Sequence, residues 1–458
     1  RASTLRAMRL TNIAQATLPP GAVHSYALRP VGPRGRALPV SFDQGRHVGA
    51  GDRPGSWMSI ALRLPAGTTR DDLAAAWERT VDRHGTFRSV FGLDDAGEPT
   101  LHEVELGDGV WETHDVPEGI ATREVVRELF DVVCRPLATP SHRMAVVEPD
   151  AAAEDPRPCV VLAADHAHVD MWSLVVVARD LIAYLDAASG QAGADDLPDA
   201  PPFAEHTAAL EKRGPAPAEV VAEWAELLDL GGGEMPRFPL PVGDPEPGAL
   251  PVVEVREVMD AVEYDAFAGA AKAAGTSTIG LAMSALTDVT RRLADAPLRA
   301  VFPVHSRHEP RWHDSSGWFI TNSVLECDDA APTACAASVK RAITLGSHPL
   351  APILEPYGGM KVPRGMFALS WLDTRRLPAE LDDRLDAQYV SAVSASDDVM
   401  LWFVVNRRGL HLRCRYPDTD EAVASVGGWL DAVVDAFAER IPDTGAERTV
   451  GAGPVSIT

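Results

Sequence analysis

The stretch His166-Ala-His-Val-Asp170-Met-Trp-Ser173 decides how the rest of the chain is read. It follows the apolar, β-branched run Cys159-Val-Val-Leu-Ala-Ala164, whose length and composition predict a buried strand. Beyond Asp170, Leu174-Val-Val-Val-Ala178 and then Leu181, Ile182, Tyr184 and Leu185 recur at about 3.6-residue spacing, which predicts an amphipathic helix. Asp170 and Ser173 suit its first turn. The polar cluster therefore sits where a strand gives way to a helix.

Spacing decides what these side chains can do together. In an extended chain His166 and Asp170 would lie about 13 Å apart. On a turn entering a helix, positions four apart are neighbours at about 5–6 Å. A histidine at a strand end with an acidic residue folded back near it can serve as a general base, and an unperturbed pKa of about 6.5 suits proton transfer near neutrality. The plainer alternative makes Asp170 a helix cap and the histidines surface residues. A third reading takes the alternation of His166, His168 and Asp170 as one face of a strand, the start of a zinc or iron site and hence of a metal-dependent hydrolase. Spacing alone leaves all three open.

Composition narrows the class. At 458 residues the chain is long for one core, and 46 % hydrophobic residues are those of a globular protein. A formal net charge of −24 argues against a nucleic-acid or anionic-membrane partner, since both demand a cationic face. Five cysteines (134, 159, 327, 335 and 414) form an odd set without a C-x-x-C pair, which suggests neither a disulfide framework nor a thiolate metal site and fits a reducing cytoplasm. Basic residues at the N-terminus precede no apolar stretch of signal-peptide length, and nowhere do 18 apolar residues run together, so no membrane span is expected.

Residues 1 to about 40, with Leu18-Pro-Pro-Gly-Ala22 and Pro30-Val-Gly-Pro-Arg-Gly35, are turn-rich and read as an extended lead-in. Strands are expected at 56–64, 87–91, 100–106 and 144–147, and helices at 71–84 and 122–134. The small, polar, proline-containing stretch 187–202 is the best linker, so a first lobe of residues 1–195 would carry the motif and a second would span 196–458. In the second, strands at 298–304, 318–325, 366–372, 399–405 and 410–415 alternate with helices at 261–274, 277–292, 334–346 and 422–440. The class is α/β.

These stretches together resemble the condensation-domain superfamily, whose hallmark is His-His-x-x-x-Asp-Gly and whose members move acyl groups from thioesters to amines or alcohols. Here the matching residues are Asp165-His166-Ala-His-Val-Asp170-Met171. Pro39-Val-Ser-Phe-Asp-Gln44, Arg83-His84, Phe87-Arg-Ser-Val-Phe91, Phe130-Asp-Val-Val-Cys-Arg-Pro-Leu137, Pro303-Val-His-Ser-Arg307 and Gly317-Trp-Phe-Ile-Thr-Asn322 match further family segments in the family's order. The Pro-Pro-Gly lead-in resembles the polyketide-associated acyltransferases of actinobacteria, which esterify sugar or lipid hydroxyls.

The resemblance implies two chloramphenicol acetyltransferase-like lobes forming a V around a central tunnel, with His166 as the catalytic base. It implies Asp170 and Arg307 as a structural pair, and Asp165, Met171, Trp172, Ser173 and Asn322 as candidate tunnel or substrate contacts. No cofactor is implied. An acyl thioester, on coenzyme A or on a carrier protein, would arrive in trans, and a small-molecule hydroxyl, secondarily an amine, would accept the acyl group. Two departures from the hallmark stand out: Asp165 in place of the first histidine, and Met171 in place of the glycine, whose side chain would narrow the tunnel beside His166. The family uses the first position mainly structurally; the second departure raises the alternative of a catalytically silent recruitment module of the same fold.

Overall fold

Cys159–Asp165 is a strand buried at every position, because it lies inside a sheet covered on both faces. Cys159, Val161 and Ala163 pack with Val126 and Phe130 of the helix Thr122–Val133 and with Cys134, which follows it. Successive strand residues point to opposite faces, so Val160, Leu162 and Ala164 are buried on the other side. The computed structural model describes residues 9–190, 193–194, 196–377 and 379–442, and Cys159–Asp165 runs through the middle of its larger sheet. That sheet has seven strands in the spatial order Arg9–Asn12, Gln388–Ser391, Trp57–Arg63, Cys159–Asp165, His142–Pro149, Gly21–Pro30 and Leu106–His114. Only the first pair is parallel.

The strand feeds the helix Met171–Ala188, where Leu174, Val175, Val176, Val177, Ala178 and Leu181 are all buried. Three consecutive valines are poor helix formers, each costing up to about 0.7 kcal/mol relative to alanine. Full burial of each side chain contributes roughly 1.5–3 kcal/mol, so packing decides the conformation. The helix Arg70–Arg83 is pinned alongside it: Asp180, fully buried, accepts from Arg83 Nε (2.8 Å) and pairs with His84 Nε2 (3.0 Å) and Arg179.

Two compact units divide the chain. One runs up to Arg213 and takes back Arg307–Ile320 and Leu377–Ser394; it holds the seven-stranded sheet and a small three-stranded one. The other consists of Gly214–Ser306, Thr321–Arg376 and the chain from Ala395 onward. Its six-stranded sheet has the order Val252–Asp260, Gly409–Tyr416, Val399–Asn406, Phe367–Asp373, Leu298–His305 and Ile320–Cys327. Phe367, Leu369, Leu401, Phe403, Leu410 and Leu412 turn one face of it into the core shared with the helices Thr278–Ala294 and Asp420–Glu439.

The expectation of an extended lead-in over residues 1 to about 40 is corrected. Gly21–Pro30 is an internal strand, paired antiparallel to both His142–Pro149 and Leu106–His114, with Val23 to Leu28 buried. Alanines, a serine and a histidine dilute its apolar signal, and the flanking prolines suggest turns. Phe42–Gly49, unassigned from the sequence, is a helix started by a capping box in which Ser41 and Gln44 exchange hydrogen bonds. Phe87 and Arg88 belong to a short 3-10 turn, and the strand begins at Ser89. Residues 191, 192 and 195 of the expected linker, and the basic first eight residues, lie outside the described residues. Among the described residues no helix is long and apolar enough to cross a membrane.

Candidate active site

Asp165 ends the central strand and caps the turn that follows, accepting the Ala167 N–H at 2.9 Å. His166–His168 is consequently a single 3-10 turn, not an extension of the strand. The His166 N–H donates to Ser56 O (2.9 Å), just before the neighbouring strand Trp57–Arg63, which holds the turn at the end of the sheet's central strands. Asp170 then caps the helix Met171–Ala188, accepting the Ser173 N–H at 2.7 Å.

This geometry separates residues that the sequence left together. His168 turns inward: its Nδ1 lies 3.0 Å from Thr86 O, and its ring packs 5.2 Å from that of Phe91. Asp170 turns the other way, into an ion pair. The face that His166, His168 and Asp170 would share on a strand therefore does not form, and among the described residues no group of three or more His, Cys, Asp or Glu is arranged to hold a metal ion. Asp170 does not orient His166 either, since its oxygens are committed elsewhere.

Those commitments are extensive. Arg307 reaches Asp170 with Nη1 at 2.7 Å and Nη2 at 3.1 Å, and both residues are 1 % exposed. Ser173 donates through N–H and Oγ–H (2.8 Å), and the Phe319 N–H donates at 3.1 Å. Ser173 Oγ in turn accepts from Arg307 Nη2 (2.7 Å) and from the Gly317 N–H (3.0 Å), filling its capacity of one hydrogen and two lone pairs. Burial pushes the Asp170 carboxyl up, but the Arg307 charge and these donors outweigh it and hold the group below the ordinary carboxylate range. The guanidinium lies 3.9 Å from the Phe319 ring centroid and 5.0 Å from that of Trp172, whose Nε1 donates to His313 O at 2.9 Å. Glycine is required at 317 by closeness, because a Cβ there would sit 2.4 Å from the Phe203 ring.

His166 itself is partly exposed and stacks on Trp318, with centroids 4.0 Å apart and planes 22° apart. Its Nδ1 is buried without a hydrogen-bond partner among the described residues. Burial holds its pKa below the ordinary histidine value, the nearby His47 acts in the same direction, and its own carbonyl, Asp165 and Asp170 offset this only in part. These influences together favour the neutral imidazole, the state a proton acceptor needs.

Sequence reasoning missed what surrounds Asp165. His47 Nε2 lies 3.1 and 3.2 Å from its two carboxylate oxygens, and Ser56 Oγ donates at 2.5 Å. Behind His47, Arg53 Nη2 lies 3.0 Å from Nδ1. The signal was present in Ser41-x-x-Gln44: it announces a helix, on which Gln44, His47 and Val48 share a face. Gln44 Nε2 donates to Ala167 O (2.8 Å), so this one face grips the motif turn at two points. Asp165 is fully buried, and the hydrogen bonds from His47, Ser56 and Ala167 outweigh the burial that would raise its pKa.

Asp165, His166, Asp170, Trp172, Ser173 and Arg307 all lie in the first unit. Met171 is the first residue of its helix and lies outside the positive-φ positions, so the backbone does not demand the family's glycine there. Asn322 lies on Ile320–Cys327, in the other unit.

The sequence matches no family model. It is 24 % identical to the acyltransferase PapA3 of Mycobacterium tuberculosis over 90 % of this chain and 91 % of that protein. It is 26 % identical to the isonitrile lipopeptide synthase of the same species over 64 % of this chain but 12 % of that protein. Among solved structures, PapA2 acyl transferase superposes with a TM-score of 0.81 at 20 % identity, covering 95 % of this chain and all of that one. The first condensation domain of the calcium-dependent antibiotic synthetase gives 0.66 at 16 % identity over 90 % of this chain and 98 % of that one. The fold is that of the condensation domains, with its chloramphenicol acetyltransferase-like architecture.

Proposed function

We infer that this chain, an acyltransferase of the condensation-domain superfamily, moves an acyl group from a thioester to a hydroxyl of a sugar, polyol or natural-product scaffold, with His166 as general base. The observation that carries the reading is the His166 ring, partly exposed and stacked on Trp318, on the turn before Asp170, whose carboxylate is already spent on Arg307. Its Nε2 accepts the acceptor's O–H proton as that oxygen attacks the thioester carbonyl. The C–O bond forms, the C–S bond breaks, and the proton passes from His166 to the departing sulfur. No acyl-enzyme is needed. Asp170 and Arg307 keep the turn in shape without touching the reacting atoms.

The donor is a coenzyme A thioester or an acyl carrier protein, supplied in trans. A carrier is acidic, and the net charge of −24 repels it unless a local cationic patch intervenes. Arg307 cannot contribute to such a patch, because it is buried in its ion pair. This favours small or lipidic thioesters. Incubation with a panel of acyl-coenzyme A donors and with acyl-loaded carriers, followed by thiol release and product mass, tests the reading. Ester products from coenzyme A donors are expected; turnover with loaded carriers alone reverses the donor, and an amide product overturns the acceptor.

A further inference from the structure

We propose that His47, locked between Arg53 and Asp165, is a positioning residue that sets the ring plane and the protonation of His166. The inference rests on the reading of His166 as the base and assigns it a support that the hallmark motif does not contain.

The argument begins with polarity. An arginine has only donors, so His47 Nδ1, 3.0 Å from Arg53 Nη2, accepts and carries no proton. The hydrogen of the neutral ring then sits on Nε2, pointing at Asp165. Arg53 is itself fixed, donating through Nη1 to His47 O and Gly51 O, both at 2.9 Å. One tautomer satisfies the whole chain Arg53 to His47 to Asp165. The reverse tautomer would set two donors against each other and leave the carboxylate facing a lone pair.

Two consequences reach His166. The first is steric: the His47 and Trp318 rings meet in a T-shaped contact with centroids 5.2 Å and planes 71° apart, and the Trp318 face is the surface on which His166 stacks. His47 therefore backs the wall that fixes the base. The second is electrostatic. A carboxylate immediately before the base would raise the base's pKa if left unneutralised. His47, Ser56 and the Ala167 N–H occupy both Asp165 oxygens and draw its charge away from the imidazole. The titratable groups acting on His166 are His47, Asp165 and Asp170; Arg53 stands behind the first and Arg307 behind the last. The aspartate at 165 and the histidine at 47 thus make one unit.

The test reads histidine protonation directly and does not depend on a substrate. In protein with nitrogen-15-labelled histidine, the His166 signals are assigned by their loss in His166→Ala, and those of His47 by their loss in His47→Leu. In wild type the His47 proton facing Asp165 is expected on Nε2, with Nδ1 accepting from Arg53, and His166 is expected to titrate below its ordinary value. His47→Leu should raise the His166 midpoint by about one unit. His47→Gln, whose amide can donate to Asp165 and accept from Arg53, should restore most of the wild-type value. With an active donor in hand, His47→Leu should lower kcat roughly ten- to hundred-fold with KM little changed, and His47→Gln should recover most of the loss. An unshifted His166 midpoint in a folded His47→Leu protein, or a His47 ring protonated on Nδ1, overturns the inference. Should no donor turn over, the reading of His166 as base fails separately, while the midpoint still decides the role of His47.

Discussion

Replacing Asp170 with alanine removes a carboxylate that accepts from Arg307 Nη1 and Nη2, Ser173 N and Oγ, and the Phe319 N–H, and strands a guanidinium between Trp172 and Phe319. Arg307→Ala does the converse, leaving Asp170 with neutral donors only. Breaking one side of a pair this buried costs about 3–5 kcal/mol. At about 2–4 °C per kcal/mol for a cooperative unit of 150–250 residues, each single variant should melt roughly 6–20 °C below wild type. The two are not equivalent. An abandoned carboxylate can take up a proton, whereas arginine cannot lose one, so the Arg307→Ala deficit should shrink as pH falls towards about 4 while the Asp170→Ala deficit persists. The double variant removes both charges and should lose less than the sum of the singles, with a coupling of up to about 3 kcal/mol. Thermal melting and urea unfolding of all four proteins measure the cycle. Losses that add to within about 0.3–0.5 kcal/mol would show that the ion pair contributes nothing as a pair.

Two further outcomes follow from the site. Because burial holds the His166 pKa below its ordinary value, the base is unprotonated down to lower pH, so the acid limb of kcat/KM should have its midpoint below about 6.5; a midpoint above that value contradicts the assigned environment. Trp318→Ala removes the face on which His166 stacks and should lower kcat roughly ten- to hundred-fold with less change in KM; wild-type kcat in that variant means that the stack does not position the base.

What the sequence made legible is what local pattern controls. Cys159–Asp165 announced itself by an unbroken apolar run, and Met171–Ala188 by its period and by Asp170 and Ser173 at its start. The motif placed His166 at their junction. Other features arise only in three dimensions. Arg307 follows Asp170 by 137 positions, so the pair was legible through the family resemblance alone, local spacing giving no hint of it. Gln388–Ser391 inserts between Arg9–Asn12 and Trp57–Arg63, a pairing across more than 300 residues that no linear division of the chain anticipates. Gly21–Pro30 escaped notice because a strand buried by its neighbours can carry serine and histidine once cross-strand partners satisfy them, as His114 Nε2 does for Ser25 Oγ at 2.8 Å. His47 escaped because its meaning depends on Asp165, 118 positions away.

The central claim is that His166 takes the proton of the acceptor. It is tested most directly by comparing His166→Ala with wild type under one saturating acyl thioester and acceptor, following thiol release and ester formation together. The account predicts a loss of about 10²- to 10⁴-fold in kcat with the melting temperature nearly unchanged, because the ring is partly exposed and its removal costs little packing. Turnover at the wild-type rate in a correctly folded His166→Ala protein would contradict it.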